Sequence, residues 1–261
     1  MIGKEIRLER IMNRNTGRTV IIPMDHGFTL GQIEGLHDMP EIISQVSEGG
    51  ANAIVLHKGM VKAGHRRRGR DIGLIVHLSA STSLNHDPND KVMVCTVEEA
   101  VALGADAVSI HINLGAPNES RMIEEAGMVT KQCNKWGMPL LVMIYPRGEG
   151  IDPTSQQSVG HCVRVAEEIG ADLIKTNYTG NPESFARITA ACSVPVLIAG
   201  GEKAGDLETL QTVRESLEAG GAGVCLGRNS FQRDDPRGFI QALYRVIHDD
   251  TSPADALGRS E

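Results

Sequence analysis

The chain has 261 residues, long for one average domain, and its apolar fraction of 41% can fill a core. Aromatic residues make up only 3%, so that core must be Ile, Val, Leu, Ala and Met. A net charge of −7 argues against nucleic acid as the main partner, and no apolar run approaches the roughly 20 residues of a membrane span.

The chain starts MIGKEIRLER, charged from residue 4, which does not read as a signal peptide. Thr19–Met24 (TVIIPM) reads as a first strand. A second, AIVLH, follows Gly49-Gly-Ala-Asn52, and Ile72–Leu78 (IGLIVHL) is a third. Thr96-Val-Glu-Glu99 has capping-box spacing ahead of the helical AVAL. Gly104-Ala-Asp106 precedes a fourth strand, AVSIHI, and Leu140–Tyr145 (LLVMIY) is a fifth. Gly170-Ala-Asp172 precedes the sixth, LIKTN, and Val194–Ala199 (VPVLIA) is the seventh. Gly220-Gly-Ala-Gly223 precedes the eighth, VCLG, and Phe239, Leu243, Val246 and Ile247 form an apolar stripe at helical period.

Four of these corners share one pattern: a helix closed by glycine, then a short β-branched run. The runs are continuously apolar, as expected for parallel strands covered by helices. Eight such units in this length predict a single (β/α)8 barrel over residues 1–261, a fold of roughly 250 residues. A Rossmann sheet is the alternative, but no G-x-G-x-x-G follows the first strand. Cys95, Cys133, Cys162, Cys192 and Cys225 are odd in number and lack a C-x-x-C pair. They read as reduced thiols of a cytoplasmic protein rather than a disulfide framework or zinc site.

In a barrel of this kind the site lies at the C-terminal ends of the strands. Those ends carry Asp25, His26 and Gly27; His57 and Lys58; His77, Ser79, Ser81 and Thr82; His111 and Asn113; Tyr145, Pro146 and Arg147; Lys175; Gly200 and Gly201; and Gly227, Arg228 and Asn229. Lys175 interrupts a buried run, where lysine is rare. At a half-buried mouth, desolvation is expected to lower its pKa and make it a nucleophile for a carbonyl. On position alone, a lysine paired with a carboxylate or facing the outer surface reads the same way. Tyr145 offers a phenol for proton transfer, and Asp25 offers a base or a cap for the next helix. The glycine loops after the seventh and eighth strands are where barrels frequently bind phosphate. His26, His57, His77 and His111 could serve a metal-dependent aldolase, although strand alternation turns some of them outward. The basic run His65–Arg70 reads as a solvated loop, a subunit contact or a phosphate clamp.

The stretches IIPMDHG, LSASTSL, DAVSIHINLG, YPRGEG, IKTNYTG, IAGGEK and LGRNSFQ resemble the archaeal-type class I aldolase family, in order from residue 1 to about 250. The resemblance implies a (β/α)8 barrel with Lys175 as Schiff-base lysine, Tyr145 as proton donor and Asp25 as proton acceptor. It implies that Asp25, His26, Gly27, Phe28, Thr29, Tyr145, Pro146, Arg147, Gly200, Gly201, Gly227 and Arg228 contact a phosphorylated sugar. It implies no metal and no cofactor, because the iminium is the electron sink.

Fructose-bisphosphate aldolases of this type carry Trp two residues before the tyrosine. Met143 stands there instead, and SIHINLG is similar to a heptulosonate-forming branch. That branch uses a phosphorylated keto-sugar and L-aspartate semialdehyde, and its members are homo-oligomers, decamers among them. Rivals are a fructose-bisphosphate aldolase, a synthase using dihydroxyacetone phosphate, and a sugar-phosphate binding protein without turnover. Relatives read Gly-Gly-Pro-Lys after the seventh strand where this chain has Glu202, a negative charge near the expected phosphate.

Overall fold

The protein is described from a computed structural model covering residues 1–63, 71–201 and 204–258. The basic run and Glu202 lie outside the described residues.

Eight parallel strands close into a barrel. They are β1 (Thr19–Pro23), β2 (Ala53–His57), β3 (Gly73–His77), β4 (Ala107–Leu114), β5 (Leu140–Pro146), β6 (Leu173–Thr176), β7 (Val196–Ala199) and β8 (Gly223–Cys225). Each neighbours the next in sequence, and β1 closes the ring against both β2 and β8. The predicted runs match these strands with small shifts at their ends. The seventh begins at Val196 rather than Val194, since Pro195 has no N–H to donate to a ladder. The eighth ends at Cys225, because Gly227 already leads into a helix.

Alternation along the strands divides the core into two layers. Ile21, Val55, Ile75, Leu141, Met143, Leu173, Leu197 and Cys225 fill the barrel, while Val20, Leu56, Val76, Val108, Ile144, Ile174 and Val224 pack outward under the helices. Helix α1 (Ile2–Ile11) closes the N-terminal end. Its Ile11 is fully buried in the inner layer with Leu8 alongside, and Thr19 Oγ1 donates to Ile11 O at 2.6 Å. This closure leaves the opposite end as the open one.

The short helix α2 (His26–Leu30) and α3 (Met39–Glu48) follow β1. After β3 comes α4 (Val97–Ala102), whose Thr96–Glu99 capping box is formed as predicted. Then α5 (Glu119–Trp136), α6 (Gln156–Ile169), α7 (Pro182–Ala190) and α8 (Asp206–Glu218) alternate with the strands. The one-turn α9 (Arg228–Phe231) and α10 (Pro236–His248) follow β8. The predicted stripe Phe239, Leu243, Val246 and Ile247 is the buried face of α10. Among the described residues no helix is long and apolar enough to cross a membrane.

The recurring corners have a second purpose beyond helix closure. Asn52, Asp106 and Asp172 hold equivalent places before β2, β4 and β6. Their side-chain oxygens accept from Val20 N (2.7 Å), Leu74 N (2.9 Å) and Leu140 N (2.9 Å) on the preceding strand. At the fourth corner Gly223 has φ +121°, and a Cβ there would lie 2.0 Å from Thr19 O, so glycine lets β8 approach β1.

Candidate active site

Lys175 lies on β6 between Met143 of β5 and Leu197 of β7, both of the inner layer, so its side chain points into the barrel. Only 8% of it is exposed. Tyr145 stands two residues beyond Met143, hence on the same face and nearer the mouth, and is 6% exposed. Asp25 precedes α2, but its carboxylate makes no capping bond to that helix and is left for the site. Its oxygens lie 3.5 Å from His26 Nδ1 and 3.7 Å from His77 Nε2.

The electrostatics of this group are mutual. Burial works against the Asp25 carboxylate, but His77, His26, Lys175 and His57 outweigh it and hold its pKa well below the usual range. Burial lowers the pKa of Lys175, yet Cys225, Tyr145 and Asp25 push it up, and the net direction is upward. The Cys225 thiol is itself pushed up to about 11 and the Tyr145 phenol is raised, each chiefly by burial. Both are protonated near neutrality, which leaves Asp25 as the anion that holds the ammonium. The expectation of a lowered lysine pKa is therefore corrected: desolvation is present, but Cys225, Tyr145 and Asp25 together overcome it.

The strand-end histidines also differ from expectation. None of the three on strands turns outward to the helices: His57, His77 and His111 share the inward phase of Val55, Ile75 and Ala107. His77 is bonded to Ser109 Oγ at 2.8 Å, packs edge-on against His57 with centroids 5.3 Å apart, and is pushed down to about 4 by burial. Burial likewise lowers His26, His57 and His111, so the mouth is lined by neutral imidazoles near neutral pH. Among the described residues no three His, Cys, Asp or Glu side chains are grouped so as to hold a metal ion.

The remaining predicted positions surround this centre. Phe28 is 44% exposed and lies 4.7 Å from the His57 ring, and Thr29 O accepts from Ser83 N. Pro146 ends β5, and the exposed Arg147 places its guanidinium 5.4 Å from the centre of the Tyr145 ring. Gly200 O accepts from Asn229 Nδ2 at 2.6 Å, and Gly201, at φ +59°, has open space where a Cβ would be. Gly227 fits against His26, whose Cε1 would lie 2.3 Å from an added Cβ, and Arg228 is exposed.

Two groups escape a reading by sequence. Cys225 resembles any apolar strand residue, yet faces Lys175. Lys91 belongs to a two-residue hairpin, Ser79–Ala80 against Val92–Met93, too short to show periodicity. The Pro88-Asn-Asp turn before it is the only local cue.

The profile described as DeoC/LacD family aldolase matches residues 19–233. A 2-amino-3,7-dideoxy-D-threo-hept-6-ulosonate synthase of Halobacterium salinarum is 47% identical over 99% of this chain and 96% of its own. A 2-amino-4,5-dihydroxy-6-oxo-7-(phosphonooxy)heptanoate synthase of Streptomyces griseus is 41% identical over 94% of this chain and 90% of its own. Among solved structures, an archaeal fructose-1,6-bisphosphate aldolase with its catalytic lysine bound to a carbinolamine superposes with a TM-score of 0.85. It is 33% identical over 94% of this chain and 99% of its own. An inward lysine on β6 of a closed barrel, with matches of this extent, makes the chain a member of the DeoC/LacD aldolase family.

Proposed function

We propose that the chain is a Schiff-base transaldolase that forms 2-amino-3,7-dideoxy-D-threo-hept-6-ulosonate. The donor is 6-deoxy-5-ketofructose 1-phosphate, the acceptor is L-aspartate 4-semialdehyde, and the product feeds 3-dehydroquinate and aromatic amino acids. The observation that carries the reading is Lys175, buried inside the barrel beside a protonated Tyr145 and an ionised Asp25. The 47% identity to the Halobacterium salinarum synthase supports the choice of product.

The product dictates which carbons move. A seven-carbon, 7-deoxy 6-ketone takes its first four carbons from aspartate semialdehyde and its last three, ending in a methyl ketone, from the donor. Lys175 therefore attacks the donor carbonyl beside the methyl group, after its proton passes to Asp25 or another acceptor. Loss of water, with Tyr145 able to supply the proton, gives the iminium. The bond between the carbons α and β to the iminium then breaks, its electron pair forms the enamine, and the β-hydroxyl proton leaves to Asp25, anionic again once the proton it took has replaced the one Tyr145 gave to the departing water. A three-carbon aldehyde carrying the phosphate departs. The enamine carbon next bonds to the aldehyde carbon of aspartate semialdehyde, whose oxygen takes up a proton, and water releases the product from Lys175. Asp25–Thr29, Tyr145–Arg147, Gly200–Gly201 and Gly227–Arg228 lie along the mouth as the wall against which the sugar rests.

The similarity to the Streptomyces griseus synthase, whose named product carries a 7-phosphonooxy group, supports a second reading with dihydroxyacetone phosphate as donor. Borohydride trapping separates the two. Incubation with each donor, reduction and peptide mass spectrometry should give a three-carbon adduct on Lys175, without phosphate for the deoxy sugar and with it for dihydroxyacetone phosphate. Lys175→Ala should give none. Absence of any adduct on the wild-type chain, with turnover retained, would overturn the lysine mechanism.

A further inference from the structure

The mouth contains a second buried amine that the proposed chemistry has not yet used. Lys91 is 7% exposed, one step beyond the paired residues Ala80 and Val92 of the hairpin over β3 and β4. Its Nζ donates to Ser81 Oγ at 2.5 Å, and that hydroxyl donates onward to Pro88 O at 2.6 Å. Among the described residues no carboxylate lies within ion-pair distance of Lys91 Nζ. An ammonium has three donors, and a buried cation without an anion is costly.

The hairpin is also braced from several sides. Asn113 Nδ2 donates to Asn89 O at 2.8 Å, and Asn113 Oδ1 lies 2.9 Å from His111 Nε2. Arg121 donates to Lys91 O at 3.0 Å and pairs with Asp90. The backbone at Lys91 is thus fixed, and its charge is felt by Asp25, Arg147, His57, His77 and His111, all at the mouth.

We propose that Lys91 is the anion anchor of the aldehyde partner, a specificity-determining residue that receives first the phosphate of the departing aldehyde and then the carboxylate of the entering one. The inference rests on the transaldolase reading above. Departing and entering aldehydes must meet the same carbon of the Lys175-bound enamine, so their chains leave that carbon in the same direction. In a ring of eight strands, β3 and β4 stand opposite β7 and β8. In this assignment the methyl end of the fragment kept on Lys175 lies on the side of β7 and β8. The aldehyde points across the mouth, where Lys91 and the exposed Arg147 supply positive charge.

Lys91→Met and Lys91→Arg test the assignment. The expected result for Lys91→Met is a KM for aspartate semialdehyde raised at least tenfold, with kcat changed much less and with Lys91→Arg restoring most of the loss. With the phosphorylated donor saturating, propanal, an aldehyde without a carboxylate, should serve the wild type and Lys91→Met equally well as acceptor. Inorganic phosphate should compete with aspartate semialdehyde in the wild type and lose that effect in Lys91→Met. Equal losses with propanal and aspartate semialdehyde would assign Lys91 a merely structural role and overturn the proposal. So would a KM within twofold of wild type, or a rise only for the phosphorylated donor. A wild-type chain that yields no trapped adduct on Lys175 would instead overturn the Schiff-base reading itself.

Discussion

Lys175 and Asp25 define each other's charge. Burial lowers the pKa of the lysine, and Cys225, Tyr145 and Asp25 together reverse this, so the resting site holds an ammonium whose proton must move before a carbonyl can be attacked. Asp25→Asn removes the anion and leaves the burial, so the Lys175 pKa should fall. The rate of borohydride-trapped adduct formation should level off at lower pH than in the wild type, whereas turnover should drop by about 10²–10⁴ through loss of the base. An unchanged pH profile would mean that Asp25 does not hold the ammonium. This balance was only half legible in the sequence. A lysine, a tyrosine and an aspartate at the ends of apolar runs identify themselves as candidates. The direction of the lysine pKa depends on which residues of other strands face it, and Cys225 and Lys91 carry no periodic signal that would place them at the mouth.

The strands were legible for a related reason. Each is buried on both faces, and a continuous apolar run between a glycine corner and a polar end has few other readings. Their exact limits were not, because pairing with a neighbour decides them, as at Pro195 and Gly227. The Asn or Asp that ends three of the corners gives no sign in the sequence of a partner, and only the assembled barrel shows it reaching the adjacent strand. Asp172 Oδ2 accepts from Leu140 N at 2.9 Å and pairs with Lys4 of α1 at 2.9 Å, and Asp106 likewise joins Leu74 N and Arg10. These carboxylates tie the strand starts to the helix that closes the barrel. Asp106→Ala should destabilise the fold by about 1–3 kcal/mol by orphaning a buried strand N–H, measured by urea unfolding. Folded Asp106→Ala should keep wild-type kcat, since this corner is at the end opposite the mouth. A loss below about 0.5 kcal/mol would show that the corner bond is incidental.

Across the whole molecule, the buried imidazoles set the response to acid. His77 is pushed down to about 4 from an ordinary value of 6.5, and His248, bonded to Thr16 and Asn52 at the closed end, is lowered as far, chiefly by burial in both cases. His26, His57 and His111 shift in the same direction. Below about pH 6.5 the unfolded chain binds protons at these positions more readily than the folded chain, down to about pH 4 at His77 and His248, so stability must decline as pH falls through that window. Asp25 adds a loss only further down, since its depressed pKa places its contribution below the ordinary carboxylate value of 3.8. The Tm should therefore begin to fall near pH 6.5, well above the carboxylate range. His248→Gln, remote from the mouth, should flatten that slope with little effect on turnover, whereas His77→Gln should flatten it and also disturb Asp25. A Tm constant down to pH 4 would show that the buried imidazoles take up protons without cost, and that the mouth opens to water more freely than its packing implies.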